Sequence, residues 1–414
     1  MIKKLENKDS KRIYFDWAAS APWINNDIPL PYGNPSSLHY EGKAAKKTIE
    51  DARQRCAAVL NVPADTLFFT SGGTESNGIA LFSNLMKINQ GRVLSSMAEH
   101  ASVRDGMETL EKMGKLIGKI AVDSSGRVTD ETLEKALEKY PDTRFVSIMS
   151  VNNETGAVTD IPLISDLLKK KIKAPVHLHC DLVQAIGKIP VDIQNWEIDS
   201  ASISAHKING PRGIGLLYLR KPLEVFYSGG GQENGIRGGT ENTYGAIALA
   251  QCLEKGIGSK ELGIGNKEQG TSSKEHIIDT LQNSFIQAQE RFIKLIKELS
   301  TMERCTFIPT ERSDIDSLLP TPNSLLPRFS PYILQAAFKG IPGEVMARAL
   351  DDLGFAVSTG SACSSSSPER PVLMAMGVSE NLRLEGIRIS QGNTTTDEDI
   401  DLLLDAIAEV LKFL

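Results

Sequence analysis

Ile198-Asp199-Ser200-Ala201-Ser202-Ile203 runs directly into Ser204-Ala205-His206-Lys207-Ile208-Asn209-Gly210-Pro211-Arg212-Gly213. The first six residues form a β-prone stretch bounded by Ile198 and Ile203, which predicts a buried strand. The next ten are small residues, a lysine and a glycine-proline turn, which predicts the strand's end and the loop after it. A lysine boxed in at that point is poorly solvated and gives up its proton readily. The free amine, not the ammonium ion, is what condenses with a carbonyl. The same position also suits a lysine whose aliphatic stem carries its charge back to water.

Outward from this unit the pattern repeats. Short β-prone runs at Thr66 to Thr70, Arg92 to Ser95, Arg144 to Met149, Val176 to His179, Ser200 to Ile203 and Gly215 to Leu219 alternate with helical patterns. Such alternation predicts an α/β layer with a mostly parallel sheet, in which chemistry collects at strand ends and the loops that follow them. Between Gly256 and Lys274 the chain turns to Gly, Ser, Lys, Glu and Gln, the composition of a flexible excursion. A domain boundary is expected near it. A helical pattern from His276 to Leu299, a proline-rich stretch, an apolar run at Phe355 to Val357 and a helix from Asp397 to the end predict a smaller α+β domain. The expected division is residues 14–260 for a large domain and 261–414, with 1–13, for a small one.

The composition narrows the function classes. A chain of 414 residues with 41% hydrophobic content carries a substantial core. A net charge of -6 provides no basic field, so nucleic acid is not an expected partner. No run of eighteen apolar residues occurs and Met1 to Lys11 lacks an apolar segment behind it, so a soluble, cytoplasmic protein without a membrane span is expected. Cys56, Cys180, Cys252, Cys305 and Cys363 are odd in number and scattered, which argues against both a disulfide framework and a metal site.

Four further segments follow the expected strands. Ser71-Gly72-Gly73-Thr74-Glu75-Ser76-Asn77 is a glycine turn opening a helix, suited to an anion such as phosphate, or simply a tight turn; its glycine spacing fits neither a dinucleotide fingerprint nor a P-loop. His100, in Glu99-His100-Ala101-Ser102, suits stacking on a flat heteroaromatic ring and proton transfer, and equally suits a helix cap. Asn153, in Asn152-Asn153-Glu154-Thr155-Gly156, suits donation to a ring oxygen or a routine polar turn. Asp181 can hold a pyridine nitrogen protonated or cap the next helix, with Gln184 one helical turn further on. Taken jointly, a phosphate cradle, a ring-stacking histidine, a carboxylate and an amine, in order and each after a strand, describe a site for pyridoxal 5'-phosphate.

These residues also carry a resemblance that spans nearly the whole chain. With Asn34-Pro35-Ser36-Ser37-Leu38-His39, the Ser71 to Asn77 turn, Glu99-His100, Asn152-Asn153-Glu154, His179 to Gln184, Ser204 to Lys207, Gly229 to Asn242 and Gly360-Ser361-Ala362-Cys363, the sequence resembles the cysteine desulfurases, within the class V aminotransferases that share the type I fold of pyridoxal-phosphate enzymes. The resemblance implies that Lys207 joins the cofactor covalently, His100 stacks on its ring and Asp181 pairs with the ring nitrogen. It further implies Asn153 and Gln184 near the ring oxygen, Gly73, Thr74, Ser204 and His206 at the phosphate, and Thr240 reaching in from the second subunit of a homodimer. Arg388 and Asn34 would bind the carboxylate of L-cysteine, and Cys363, in a mobile serine-rich loop, would take the sulfur as a persulfide and pass it to an acceptor or scaffold protein for iron-sulfur cluster or related biosynthesis. The long loop resembles the first of the two desulfurase groups.

Several positions depart from that pattern. Trp17 stands where the family has asparagine, Gln391 where an apolar residue is expected and Asn393 where a basic one is; the loop after Cys363 is a few residues short, and the tract from Gly256 to Lys274 reads as an insertion. Two rival readings stay open on the residues alone. One is another class V aminotransferase or a β-lyase on the same fold; the other is a non-catalytic sulfur-relay platform. The lesser reading of Arg388 is a strand-edge arginine paired with an acid such as Glu385.

Overall fold

The computed structural model describes residues 13–17, 33–86, 91–257, 273–319, 326–360 and 370–414, with only the backbone of 257 and 273–282. Twelve strands are present among them: β1 Ile13–Tyr14, β2 Leu67–Thr70, β3 Arg92–Ser96, β4 Ile117–Ile120, β5 Thr143–Met149, β6 His177–Asp181, β7 Ser200–Ser204, β8 Gly215–Leu219, β9 Cys305–Ile308, β10 Ile333–Phe338, β11 Phe355–Ala356 and β12 Gly386–Ser390. Seven form one sheet in the order β2-β8-β7-β6-β5-β3-β4. Strand β8 runs antiparallel to both its neighbours and every other pairing is parallel. Six strands therefore point the same way, and their carboxyl ends line one edge.

The expected strands match the observed ones to within two residues at either end, and Gly215–Leu219 matches at both. Strand β4 was not anticipated. It is a four-residue edge strand, Ile-Gly-Lys-Ile, too short and too polar to show a periodicity. Asp181, expected just past a strand, is the last residue of β6.

Helices cover the sheet because its strands are buried on both faces. Cys56, Leu133, Ile164 and Leu249 from four of them join Leu94, Val146, Leu178, Ile203 and Leu216 of the sheet in one apolar cluster. A second cluster gathers Phe292, Leu334, Phe338, Leu350, Ile389 and Leu403 around the antiparallel sheet β12-β10-β9. Strand β1 pairs with β11, and Phe15 belongs to this second cluster, so the chain from Ile13 to Phe15 packs with the later segment. The tract 258–272, within the polar excursion expected at Gly256 to Lys274, lies outside the described residues.

Two of the departures from the family pattern have a packing role. Gln391 is fully buried; its Nε2 donates to the carbonyls of Ala288 at 2.7 Å and Pro331 at 2.6 Å, and its Oε1 accepts from Arg291 Nε at 2.9 Å. A glutamine can be buried there because each of its polar atoms has a partner. Trp17 is buried too, its Nε1 donating to Tyr14 O at 2.9 Å, and its ring lies where a Cβ on Gly392 would fall, 2.1 Å away. Asn393 is exposed.

The Trp17–Gly392 contact yields a prediction. Gly392→Ala should cost about 1–3 kcal/mol by overpacking in urea unfolding, and in a Trp17→Ala background the same substitution should cost far less. Equal costs in the two backgrounds would show that the ring is not what excludes the methyl group.

Candidate active site at the carboxyl edge of the sheet

At the end of β2 the chain turns through Ser71 and Gly72 into the helix Gly73–Phe82. Gly72 has φ +150°, and the start of β8 packs so closely on it that a Cβ on Gly215 would come within 2.7 Å of its Cα. A Cβ on Gly73 would meet Val183 Cγ2 at 2.7 Å, with Ser204 Cβ 3.8 Å away. Glycine at both positions is thus a steric requirement. Ser204 Oγ is 2.8 Å from His206 Nδ1. The helix start, a hydroxyl and an imidazole meet at one place, a pattern that suits an anion. His206 is pushed down to about 4 by burial first, then by the charges of Lys207 and Arg212.

Along the same edge, His100 caps the helix Ala101–Lys112, its Nδ1 accepting from Ser102 N at 3.1 Å. Its pKa is lowered, mainly by burial; Asp181 opposes the shift and Lys207 adds to it. His100, Asp181 and Lys207 are therefore within electrostatic reach of one another. Asp181 is buried, its Oδ1 accepting from Val183 N at 3.0 Å and its Oδ2 from Asn77 Nδ2 at 2.9 Å. Gln184 Oε1 accepts from Lys188 Nζ at 2.6 Å, and burial, then the charges of Lys207 and Arg388, push Lys188 down to about 7.

Arg388 comes to this edge from β12. It is 1% exposed. Its Nη1 donates to Asn153 O at 2.9 Å and its Nη2 to Asp16 Oδ1 at 2.7 Å, while Nε has no partner among the described residues. Its acid is Asp16; Glu385 instead accepts from Gly340 N at 2.7 Å. Asn153 Oδ1 is likewise buried without a partner.

Three of the expected residues occupy exposed positions. Asn34 is exposed and turns the chain, its Oδ1 accepting from Ser36 N at 2.9 Å. Thr74 is exposed on the first turn of its helix, and Thr240 is exposed on a surface loop. That loop is clamped from beneath. Glu233, at φ +47°, sends its carboxylate inward to Arg53 at 2.8 Å and Phe69 N at 2.7 Å, and Arg53 also donates to Leu67 O at 2.6 Å. Cys363 lies outside the described residues; Gly360 and Arg370, on either side, both lie close to the Glu154 side chain. The four described cysteines are unpaired, and burial raises every thiol: Cys180 well above its usual value, Cys252 to about 11, Cys56 and Cys305 to about 12.

Four residues with no role in the sequence reading prove central to the geometry: Asn77, Glu99, His179 and Lys188. Of the four, His179 has a visible signal in the sequence, the polar residues at alternate positions in buried strands, His177-x-His179-x-Asp181 on β6 and Ser200-x-Ser202-x-Ser204 on β7. Period-two polarity facing a covering helix marks a buried polar network.

Comparison with known proteins agrees with this arrangement. The family model described as "Aminotransferase class-V" matches residues 29–321. A curated relative from Dictyoglomus turgidum, "Cysteine desulfurase IscS", is 34% identical over 97% of this chain and 95% of its own length. The chain belongs to the cysteine desulfurase family of class V aminotransferases. A Vibrio cholerae protein of the same description is 35% identical over 95% of this chain and 91% of its own. Among solved structures, a "NIFS-LIKE PROTEIN" superposes with a TM-score of 0.80 at 32% identity, over 98% of this chain and 100% of that one. Another, "SspA in complex with cysteine", gives 0.69 at 26% identity, over 93% and 100%. The mostly parallel sheet flanked by helices is the type I fold that the sequence resemblance implied.

Glu99 supplies a pH prediction. Its carboxyl is 1% exposed, with Oε1 accepting from Ser96 Oγ at 2.5 Å and Met149 N at 2.8 Å, and Oε2 without a partner; burial pushes it up to about 8. A carboxyl whose folded pKa lies above its unfolded one binds more protons when folded, so its contribution to stability is present in acid and is lost as pH rises from about 4.5 to about 8. Glu99→Gln removes that loss. Melting curves should show the variant gaining on the parent by ~5 °C or more between pH 5 and pH 8.5; a difference independent of pH would show that Glu99 is ionised in the fold.

Proposed function

We propose that this chain is a pyridoxal-phosphate-dependent cysteine desulfurase that converts L-cysteine to L-alanine and receives the sulfur on Cys363. The reaction balances without a further reagent: the substrate C–S bond breaks, an S–S bond forms at Cys363, and the thiol proton ends on the alanine product. The persulfide is then passed to an acceptor or scaffold protein that serves iron-sulfur cluster or related biosynthesis.

The observation that carries the reading is the convergence of an anion cradle, a buried carboxylate, a capped imidazole and Lys207 at one sheet edge. The cradle fits a phosphate, since Gly73 tolerates no side chain against Val183 and Ser204 stands beside it with His206. Asn153 Oδ1 and Arg388 Nε, both buried without partners among the described residues, are polar groups that a bound ligand set would use. When bound, the cofactor supplies the electron sink for loss of the substrate α-proton and weakening of the C–S bond.

The residues of the chain divide the remaining work. Gly73, Thr74, Ser204 and His206 hold the phosphate, Asp181 pairs with the ring nitrogen, His100 covers the ring, and Asn153 and Gln184 lie at the ring oxygen. Lys207 holds the cofactor through Nζ and, with His100, moves the α-proton. Arg388 and Asn34 take the substrate carboxylate, for which a guanidinium edge offers two parallel hydrogen bonds; Nε is unspent and Asp16 occupies Nη2. Burial keeps the other four cysteines protonated, which supports Cys363 as the sulfur carrier.

The wider assignments belong to the same proposal. Residues 14–260 form a cofactor-binding domain and 261–414 with 1–13 a small one, with Tyr14 and Phe15 packed on the small side. Thr240, exposed on its clamped loop, serves the site of a second subunit in a homodimer. The unpaired cysteines suit the reducing cytoplasm, and among the described residues no helix is long and apolar enough to cross a membrane.

Incubation with L-cysteine and a thiol reductant should give alanine and sulfide in equal amounts. Cys363→Ser should keep the yellow colour of the bound cofactor and lose sulfide release by at least ~100-fold, while Lys207→Ala should lose both. Pyruvate and ammonia in place of alanine would make the chain a β-lyase; a Cys363→Ser variant releasing sulfide at the parental rate would remove the thiol from the reaction.

A further inference from the structure

Asn77, on the helix Gly73–Phe82, touches three functional groups at once. One Nδ2 hydrogen goes to Asp181 Oδ2 at 2.9 Å and the other to Ser102 Oγ at 2.9 Å, while its Oδ1 is 2.9 Å from His179 Nε2. Asn77 is 1% exposed and His179 fully buried, so no water competes for these bonds.

The direction of every bond in the chain follows from His179. Burial pushes this imidazole down to about 3, so it carries a single proton at neutral pH. That proton sits on Nε2, because the amide oxygen of Asn77 can only accept. Its Nδ1, 2.8 Å from Ser200 Oγ, then accepts from the Ser200 hydroxyl, which in turn accepts from His177 Nε2 at 2.7 Å. The amide of Asn77 cannot turn over without facing Asp181 with an oxygen. At the other end, Ser102 Oγ accepts from Asn77 and directs its own proton to His100 Nδ1 at 2.9 Å, where the backbone N–H of Ser102 also points. His100 is left with its proton on Nε2.

We propose that Asn77 is a positioning residue for the reaction, holding Asp181 as an oriented partner for the cofactor's ring nitrogen and, through Ser102, holding His100 in one tautomer. The amide donates to Asp181 Oδ2 while Val183 N serves Oδ1, so both oxygens of the carboxylate are fixed in place. This deepens the function proposed above and rests on it for the role of Asp181.

The test uses the full chain with Asn77→Ala, Asn77→Asp and Ser102→Ala. Imidazole nitrogen NMR of the 15N-histidine-labelled apoprotein should show His100 as the Nε2–H tautomer in the parent and as a mixture in Asn77→Ala and Ser102→Ala. Titration of each apoprotein with pyridoxal phosphate should show Kd raised about tenfold or more in Asn77→Ala, raised further in Asn77→Asp, where two carboxylates face each other, and within twofold of the parent in Ser102→Ala. A purely structural asparagine would lower the melting temperature and leave both readouts in place. The proposal fails if Asn77→Ala, or Ser102→Ala where the former does not fold, keeps a single His100 tautomer, or if folded Asn77 variants bind the cofactor as the parent does. A parent apoprotein that does not bind pyridoxal phosphate would instead overturn the function reading, while the tautomer measurement would still decide the network.

Discussion

The carboxylate of Asp181 is buried at the end of a central strand, and the polar residues around it are arranged to serve it. Removing an ion from water costs several kcal/mol unless the surroundings replace its hydration. Here they do so with two donors, a backbone N–H and an asparagine amide. That requirement spreads. The amide must be oriented, which takes His179; His179 must keep its own proton placed, which takes Ser200. A polar row under the helix Gly73–Phe82 is therefore the support of one carboxylate, and the apolar sheet around it keeps water out.

The architecture was readable because parallel strands buried on both faces leave apolar runs, and because strand-end residues cluster by topology. Five of the strands expected in the large sheet needed only small shifts of boundary and the sixth none. Strand β4 escaped because an edge strand of four residues carries no periodicity. The site was readable as a set of residue types at strand ends, but not as a set of bonds. Nothing in a linear chain says that Asp16, 372 positions before Arg388, is the acid that meets it. Nor does Asn77, seen as the last letter of a glycine turn, announce a hub between strand β6 and the helix Ala101–Lys112. Alternating polar residues on β6 and β7 were the available clue, and they were masked by the pull of the nearby lysine.

Departures from a family pattern also gain meaning from the fold. Gln391 replaces an apolar residue, yet its amide ties the long helix Ser273–Ser300 to the segment before β10 through two carbonyls. Trp17 replaces a small polar residue and is accommodated by the missing side chain of Gly392. Both lie within three residues of a partner in the Asp16–Arg388 pair.

The ion pair of Arg53 and Glu233 has a bearing on assembly. It anchors a glycine-rich loop to the β2 backbone and holds Glu233 and Asn234 in left-handed conformations that the loop would not keep unaided. The shape of this surface is accordingly settled when the chain folds and not when a neighbour arrives. A partner associating through it would meet a rigid template and forfeit little conformational freedom.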